Sequence, residues 1–190
     1  MKNDIPLFER PFYYLRHGET DSNATYVIAG SLDVDLTPLG REQARIAAAA
    51  LANASITAIY SSPLRRARDT AEPVAQVLRL PVAILPELAE RNWGALEGKP
   101  RHVRIRGVTP PGAETGNDFL QRVLSGLRQV DAHVPLLVAH SGVFRMLCRI
   151  LEIVETEGPV ANALPLRFVP SPDGTWCLEA VNTAARGPRL

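Results

Sequence analysis

The chain is poor in the features that mark exported, membrane-spanning and nucleic-acid-binding proteins. It holds two cysteines, Cys148 and Cys177, among 190 residues. They have neither a metal-ligand spacing nor the density of a disulfide framework, which points to a reducing compartment and to free, mostly buried thiols. No apolar run approaches the roughly 18 residues of a spanning helix, and residues 46–52 are mostly alanine on a soluble helix. Residues 1–10 mix Lys2, Asp4, Glu9 and Arg10 with isolated apolar side chains, so the apolar centre of an export signal is missing and a cytoplasmic protein is expected. A charge excess is missing as well. With 21 Lys and Arg against 20 Asp and Glu, net +1, no global field draws the chain to nucleic acid or to a membrane, and any basic character must be local.

A length of 190 residues fits one domain with a substantial core, so residues 1–190 are read as a single unit. Short apolar runs alternate with helical patterns. Residues 12–15, 56–60, 82–85 and 136–139 are bounded by Pro, Ser or charge, as buried strands are. Thr37 is a helix N-cap with Pro38 at the first helical position, and the pattern runs to about Leu51. A second helix begins near Pro63, with Leu64, Ala67, Ala71, Val74 and Leu78 on one face; Pro73 within it predicts a kink or restart. Residues 119–130 and 143–151 give two more helices. Residues 166–169 and 176–181, joined by the turn Ser171-Pro172-Asp173-Gly174, read as a hairpin. The order predicts an α/β fold, a three-layer α/β/α sandwich with a mostly parallel central sheet and a C-terminal hairpin.

Polar motifs stand where these strands run out. Arg16-His17-Gly18-Glu19 ends the first strand: arginine offers a planar donor fork to phosphate oxygens, and glycine lets the backbone come close. Ser61-Ser62-Pro63-Leu64-Arg65-Arg66 ends the second and opens a helix whose amides and arginines suit an anion. His140-Ser141-Gly142 ends the fourth in the same manner as the first, so two of only four histidines lie at strand ends. Glu87, Glu90 and Glu97 follow the third and can supply a carboxyl acid for a leaving oxygen.

In order and spacing these segments resemble the histidine phosphatase superfamily, the phosphoglycerate mutase-like proteins, over nearly the whole chain. The match is carried by Arg16-His17-Gly18-Glu19-Thr20 with Asn23, Leu36-Thr37-Pro38-Leu39-Gly40 with Gln43-Ala44, and Ser61-Ser62-Pro63-Leu64 with Arg66-Ala67 and Thr70-Ala71. Glu90 ahead of Gly94 and Glu97-Gly98, then Pro111-Gly112 with Glu114, then His140-Ser141-Gly142 complete it. The resemblance implies that His17 is a nucleophile that becomes a phosphohistidine, that Arg16, Arg66 and His140 surround the phosphoryl group, and that Glu90 is the general acid that later activates water. Asn23, Glu19, Ser141 and Arg91 are expected to bind substrate. No metal or other cofactor is implied. A neutral imidazole must attack, and either a backbone carbonyl or Glu19 is expected to hold its other ring nitrogen.

The resemblance alone does not separate phosphatases from phosphoglycerate mutases. Only residues 99–110 lie between Glu97-Gly98 and Pro111-Gly112, where the mutases carry a long insertion, and an open site loses its phosphoryl group to water. Hydrolysis of a small phosphorylated metabolite or a phosphoprotein is therefore expected, with a mutase or a phosphate-dependent binding protein as alternatives. The same connection carries Arg101, His102, Arg104 and Arg106, which either face solvent or steer a substrate with more than one anionic group. His133 is read in a turn, Trp93 at the pocket rim, and Asp33 and Asp35 as loop carboxylates.

Overall fold

Side-chain alternation along the strands decides the architecture of the computed structural model, which describes residues 4–154 and 160–181. Residues 1–3, which open the segment read for an export signal, lie outside these, as do the residues after 181. The strands are β1 (Phe12–Arg16), β2 (Ala58–Ser61), β3 (Val82–Ile84), β4 (Pro135–Ala139), β5 (Pro165–Pro170) and β6 (Trp176–Ala180). The helices are α1 (Asp21–Ala24), α2 (Pro38–Leu51), α3 (Arg65–Leu78), α4 (Gly116–Arg128) and α5 (Ser141–Leu151). Phe12, Tyr14, Leu137 and Ala139 pack with α4 and α5 on one face, whereas Leu15, Leu136 and Val138 pack with α2 and α3 on the other. A period of two thus sorts each strand into two cores and gives the three layers.

The sheet order is β3-β2-β4-β1-β5-β6. The first four strands in sequence run parallel, while β5 returns antiparallel to β1 and pairs with β6 as the hairpin. Central β4 is buried at every position. Edge strand β3 is not: Ala83 and Ile84 are exposed. Cys177 sits on the opposite edge, in β6, and is exposed, so only Cys148 is the buried thiol that the composition predicts.

Local signals set most boundaries. The Thr37 hydroxyl accepts the Gly40 amide at 2.9 Å and Pro38 opens α2, as its sequence predicts. Pro73 does not break α3, which runs unbroken from Arg65 to Leu78. Proline removes one helical bond there, but Ala67, Ala71 and Val74 are fully buried against the sheet and hold the helix through it. Strand β2 begins two residues later than the apolar run, since the Thr57 amide bonds the Val134 carbonyl ahead of the ladder. Helix α1 was not read from the sequence; its Thr20 and Asn23 form a reciprocal cap.

Parallel pairing decides where the chemistry falls. Arg16 stands opposite Ala139 and Ser61 opposite Val138, so three strands end side by side. The His17 amide bonds the Ala139 carbonyl at 2.9 Å and the Ser62 amide bonds Val138 at 3.0 Å. Open α/β sheets place ligands at this edge.

Candidate active site

The turn after β1 is built around close backbone approach. A Cβ on Gly18 would run into the Gly40 carbonyl, and one on Gly40 into the Glu19 carbonyl, so two glycines let the turn lie against the first turn of α2. The Gly18 amide donates to Thr70 Oγ1 at 2.9 Å, tying the turn to α3. His17 is 4 % exposed and its Nδ1 lies 2.7 Å from the Gly18 carbonyl. A carbonyl only accepts, so Nδ1 carries the hydrogen and Nε2 keeps its lone pair. Of the two holders open in the sequence, the structure selects the backbone. Glu19 points elsewhere: its carboxylate accepts the Thr37 hydroxyl at 3.0 Å, and it does not line the cavity.

A cavity of about 280 Å³ opens beside this turn, lined by Arg16, His17, Asn23, Arg66, Glu90 and Ser141 among others. The Arg66 guanidinium is held by the Gly30 and Leu32 carbonyls, both at 2.7 Å, and Arg16 by the Val160 carbonyl at 2.6 Å. Neither has a carboxylate partner among the described residues. Burial pulls Arg16 down to about 10, with Arg101 adding to the effect, and burial lowers Arg66 as well. His17 is held well below 6.5, first by burial and then by Arg66 and Arg16. The result is a neutral imidazole among buried cations, with Arg16 Nε and Arg66 Nε left without a partner among the described residues.

His140 is fully buried and does not line the cavity, but its ring centroid lies 5.2 Å from that of His17. Burial and Arg66 hold it neutral too. Its Nδ1 is the third buried atom of this group without a partner among the described residues. Glu90 accepts the Arg91 amide at 2.8 Å and the Gly142 amide at 3.0 Å, which aims its carboxylate at the start of α5. Arg91 lines the cavity with its guanidinium committed to the Glu114 carbonyl and stacked on Trp93. Asn23 uses Oδ1 for the Thr20 amide and for Asn162, leaving its NH₂ end for the cavity it lines.

Three further residues hold these groups in place: Asn162 and Arg122 carry no signal in the sequence pattern, and Ser62 belongs to the Ser61-Ser62-Pro63-Leu64 motif, which by itself assigns it no role. Asn162 donates to the His17 carbonyl at 2.9 Å and to Asn23 at 3.0 Å. Arg122, on α4, bonds the Glu87, Ala89 and Glu90 carbonyls and forms a two-pronged pair with Glu114 at 2.8 Å. Ser62 contacts His140 Nε2 at 2.7 Å. Of the basic segment, Arg101 and Arg104 line the cavity, Arg104 stacking on Trp93, whereas His102 and Arg106 do not and are exposed. His133 is exposed ahead of β4, and the loop carboxylates Asp33 and Asp35 both bind Arg65. Among the described residues no helix is long and apolar enough to cross a membrane, and no group of three His, Cys, Asp or Glu side chains could hold a metal ion.

Known proteins share this arrangement of strands and the sequence around it. The chain is 34 % identical over 140 residues to PhoE, an uncharacterised phosphatase of Bacillus subtilis, covering 70 % of this chain and 72 % of that one. It is 33 % identical over 154 residues to the bifunctional protein Rv2228c of Mycobacterium tuberculosis, covering 72 % of this chain but 42 % of that longer protein. The structure of mycobacterial glucosyl-3-phosphoglycerate phosphatase Rv2419c in complex with VO3 superposes with a TM-score of 0.76 at 28 % identity, over 92 % of this chain and all of the other. Residues 12–166 match the family model described as histidine phosphatase superfamily (branch 1), and the chain belongs to that superfamily.

Proposed function

We propose that this protein is a phosphomonoester hydrolase that works through a phosphohistidine on His17. The observation that carries the reading is the set of buried atoms without partners, Arg16 Nε, Arg66 Nε and His140 Nδ1, gathered around a neutral His17. Buried polar atoms are almost always paired, and a buried cation without an anion is costly. We read a phosphoryl group as the partner these three atoms lack. His17 Nε2 attacks phosphorus in line, the P–N bond forms as the P–O bond to the leaving group breaks, and protonated Glu90 gives its proton to the departing oxygen. Water then attacks phosphorus, Glu90 takes a proton from it, and inorganic phosphate leaves with His17 restored. Preorganised donors stabilise most where charge develops on the equatorial oxygens.

Water as the acceptor is favoured by the short connection over residues 99–110, exposed from His102 to Thr109. The relatives named as phosphatases support the same outcome. The small cavity suits a phosphorylated metabolite or a protruding phosphorylated side chain. Arg101 and Arg104 on its wall favour substrates with a second anionic group.

The test is turnover of an aryl phosphate in the presence of a chelator, with rapid-quench trapping of acid-labile phosphoprotein. Native protein is expected to turn over and to trap phosphate on His17, and His17→Ala to lose at least about 10³-fold in kcat/KM. No turnover of any phosphoester would remove the hydrolase reading. Phosphoglycerate isomerisation outpacing phosphate release, with a bisphosphoglycerate primer, would replace it with the mutase.

A further inference from the structure

We propose that Ser62 is a positioning residue: its hydroxyl donates to His140 Nε2 and so fixes the hydrogen of His140 on Nδ1, where it meets the phosphoryl group. This rests on the phosphoryl-site reading of the preceding subsection. His140 is pinned at both ends, because its carbonyl accepts the buried Tyr14 hydroxyl at 2.5 Å and its Nε2 lies 2.7 Å from Ser62 Oγ. What this leaves open is which nitrogen bears the hydrogen. A neutral imidazole has one donor and one acceptor, so the two assignments differ in what each side presents.

Counting hydrogens decides between them. Ser62 is fully buried, and Leu64 N–H donates to its Oγ at 3.2 Å. Its own hydrogen must therefore find an acceptor inside the protein, and among the described residues the only one in contact with Oγ is His140 Nε2. Were His140 to donate instead, the serine hydrogen would be buried without a partner and a bare lone pair on Nδ1 would face an incoming anion. A buried hydroxyl stranded without a partner is costly. With serine donating, both groups are satisfied and Nδ1–H, which has no partner among the described residues, is kept for a phosphate oxygen. The Leu64 amide that sets this direction lies at the N-terminal end of α3, two residues from Arg66. The same local structure thus orients both groups.

The experiment is two-bond ¹⁵N–¹H NMR of ¹⁵N-histidine-labelled protein, which reads the tautomer of each of the four imidazoles, combined with titration of inorganic phosphate. Native His140 is expected as the Nδ1–H form. Ser62→Ala should populate the Nε2–H form and weaken phosphate binding about tenfold, the size of one lost hydrogen bond. Ser62→Thr, which keeps the hydroxyl, should restore both. An Nε2–H tautomer in the native protein overturns the proposal, even if the alanine variant fails to fold. So does a native tautomer retained in Ser62→Ala. Both readouts are free of turnover, so absence of phosphoesterase activity would remove the hydrolase reading without touching this one.

Discussion

At the scale of the residue, His17 is governed by a competition between burial and the carbonyl that holds it. Burial and three arginines, Arg66, Arg16 and Arg101, disfavour its protonated form, while the Gly18 carbonyl favours it, and the former win. The sign follows directly. An attacking imidazole must be neutral, so a midpoint below 6.5 keeps His17 competent as pH falls through values at which a solvated histidine is already charged. NMR titration of the ring signals should place the His17 midpoint below 6.5. Arg16→Gln should move it upward by removing one cation, and a midpoint at or above the ordinary value would contradict this account. Asn162 acts one step further out, through the His17 carbonyl and Asn23. Its replacement by alanine should lower kcat/KM about tenfold, as expected for one hydrogen bond. Steady-state kinetics on the same aryl phosphate checks it.

At the scale of the element, two glycines at helix starts respond to the same mutation in opposite ways. In Gly142→Ala the new Cβ would meet chiefly the Glu90 carboxylate, the far end of a flexible side chain that can move aside, and would lie 3.2 Å from the Phe119 ring edge, which need give only a few tenths of an ångström. The fold should lose less than about 1 kcal/mol while kcat falls about 10²-fold, because the proposed acid Glu90 would be displaced. In Gly40→Ala the Cβ would meet the Glu19 backbone, which cannot. Ordinary helix propensity favours alanine there by about 1 kcal/mol, yet overpacking costs about 1–3 kcal/mol, so the net sign is destabilising. Urea denaturation and kinetics on both variants separate the two effects. These elements also show how far the sequence can be read. The strand ends, the Thr37 cap and the residues Arg16, His17, Arg66 and Glu90 on the cavity wall were legible, because local pattern places each group where a strand stops. The continuity of α3 through Pro73 was not, since burial of Ala71 and Val74 overrides the local rule. Asn162 and Arg122 were invisible for a related reason: each reaches the site from a distant segment that only the folded topology brings near.

At the scale of the whole molecule, the site is a charge defect shared by both halves of the sheet. Strands β1, β2 and β4, the helices α3 and α5, and residues 160–163 after α5 all supply groups to it. Two consequences for stability follow. Buried neutral His17 and His140 have folded values depressed below 6.5. The unfolded chain therefore binds more protons once pH drops under that value, and stability falls from there down to the folded midpoints. Above 6.5 that contribution is fully present. On the proposed reading, bound phosphate would act on the other half of the defect, by pairing Arg16 and Arg66. A ligand that binds only the folded state adds about 2.7 kcal/mol at one hundred times its Kd. Urea melts from pH 4.5 to 8 should show the acid decline in the free protein, and at neutral pH a higher midpoint with saturating phosphate. Arg66→Gln should lose most of the phosphate increment but keep the acid decline, because the histidines stay buried. An increment that survived in this variant would place the anion away from Arg66, and the proposed phosphoryl site with it.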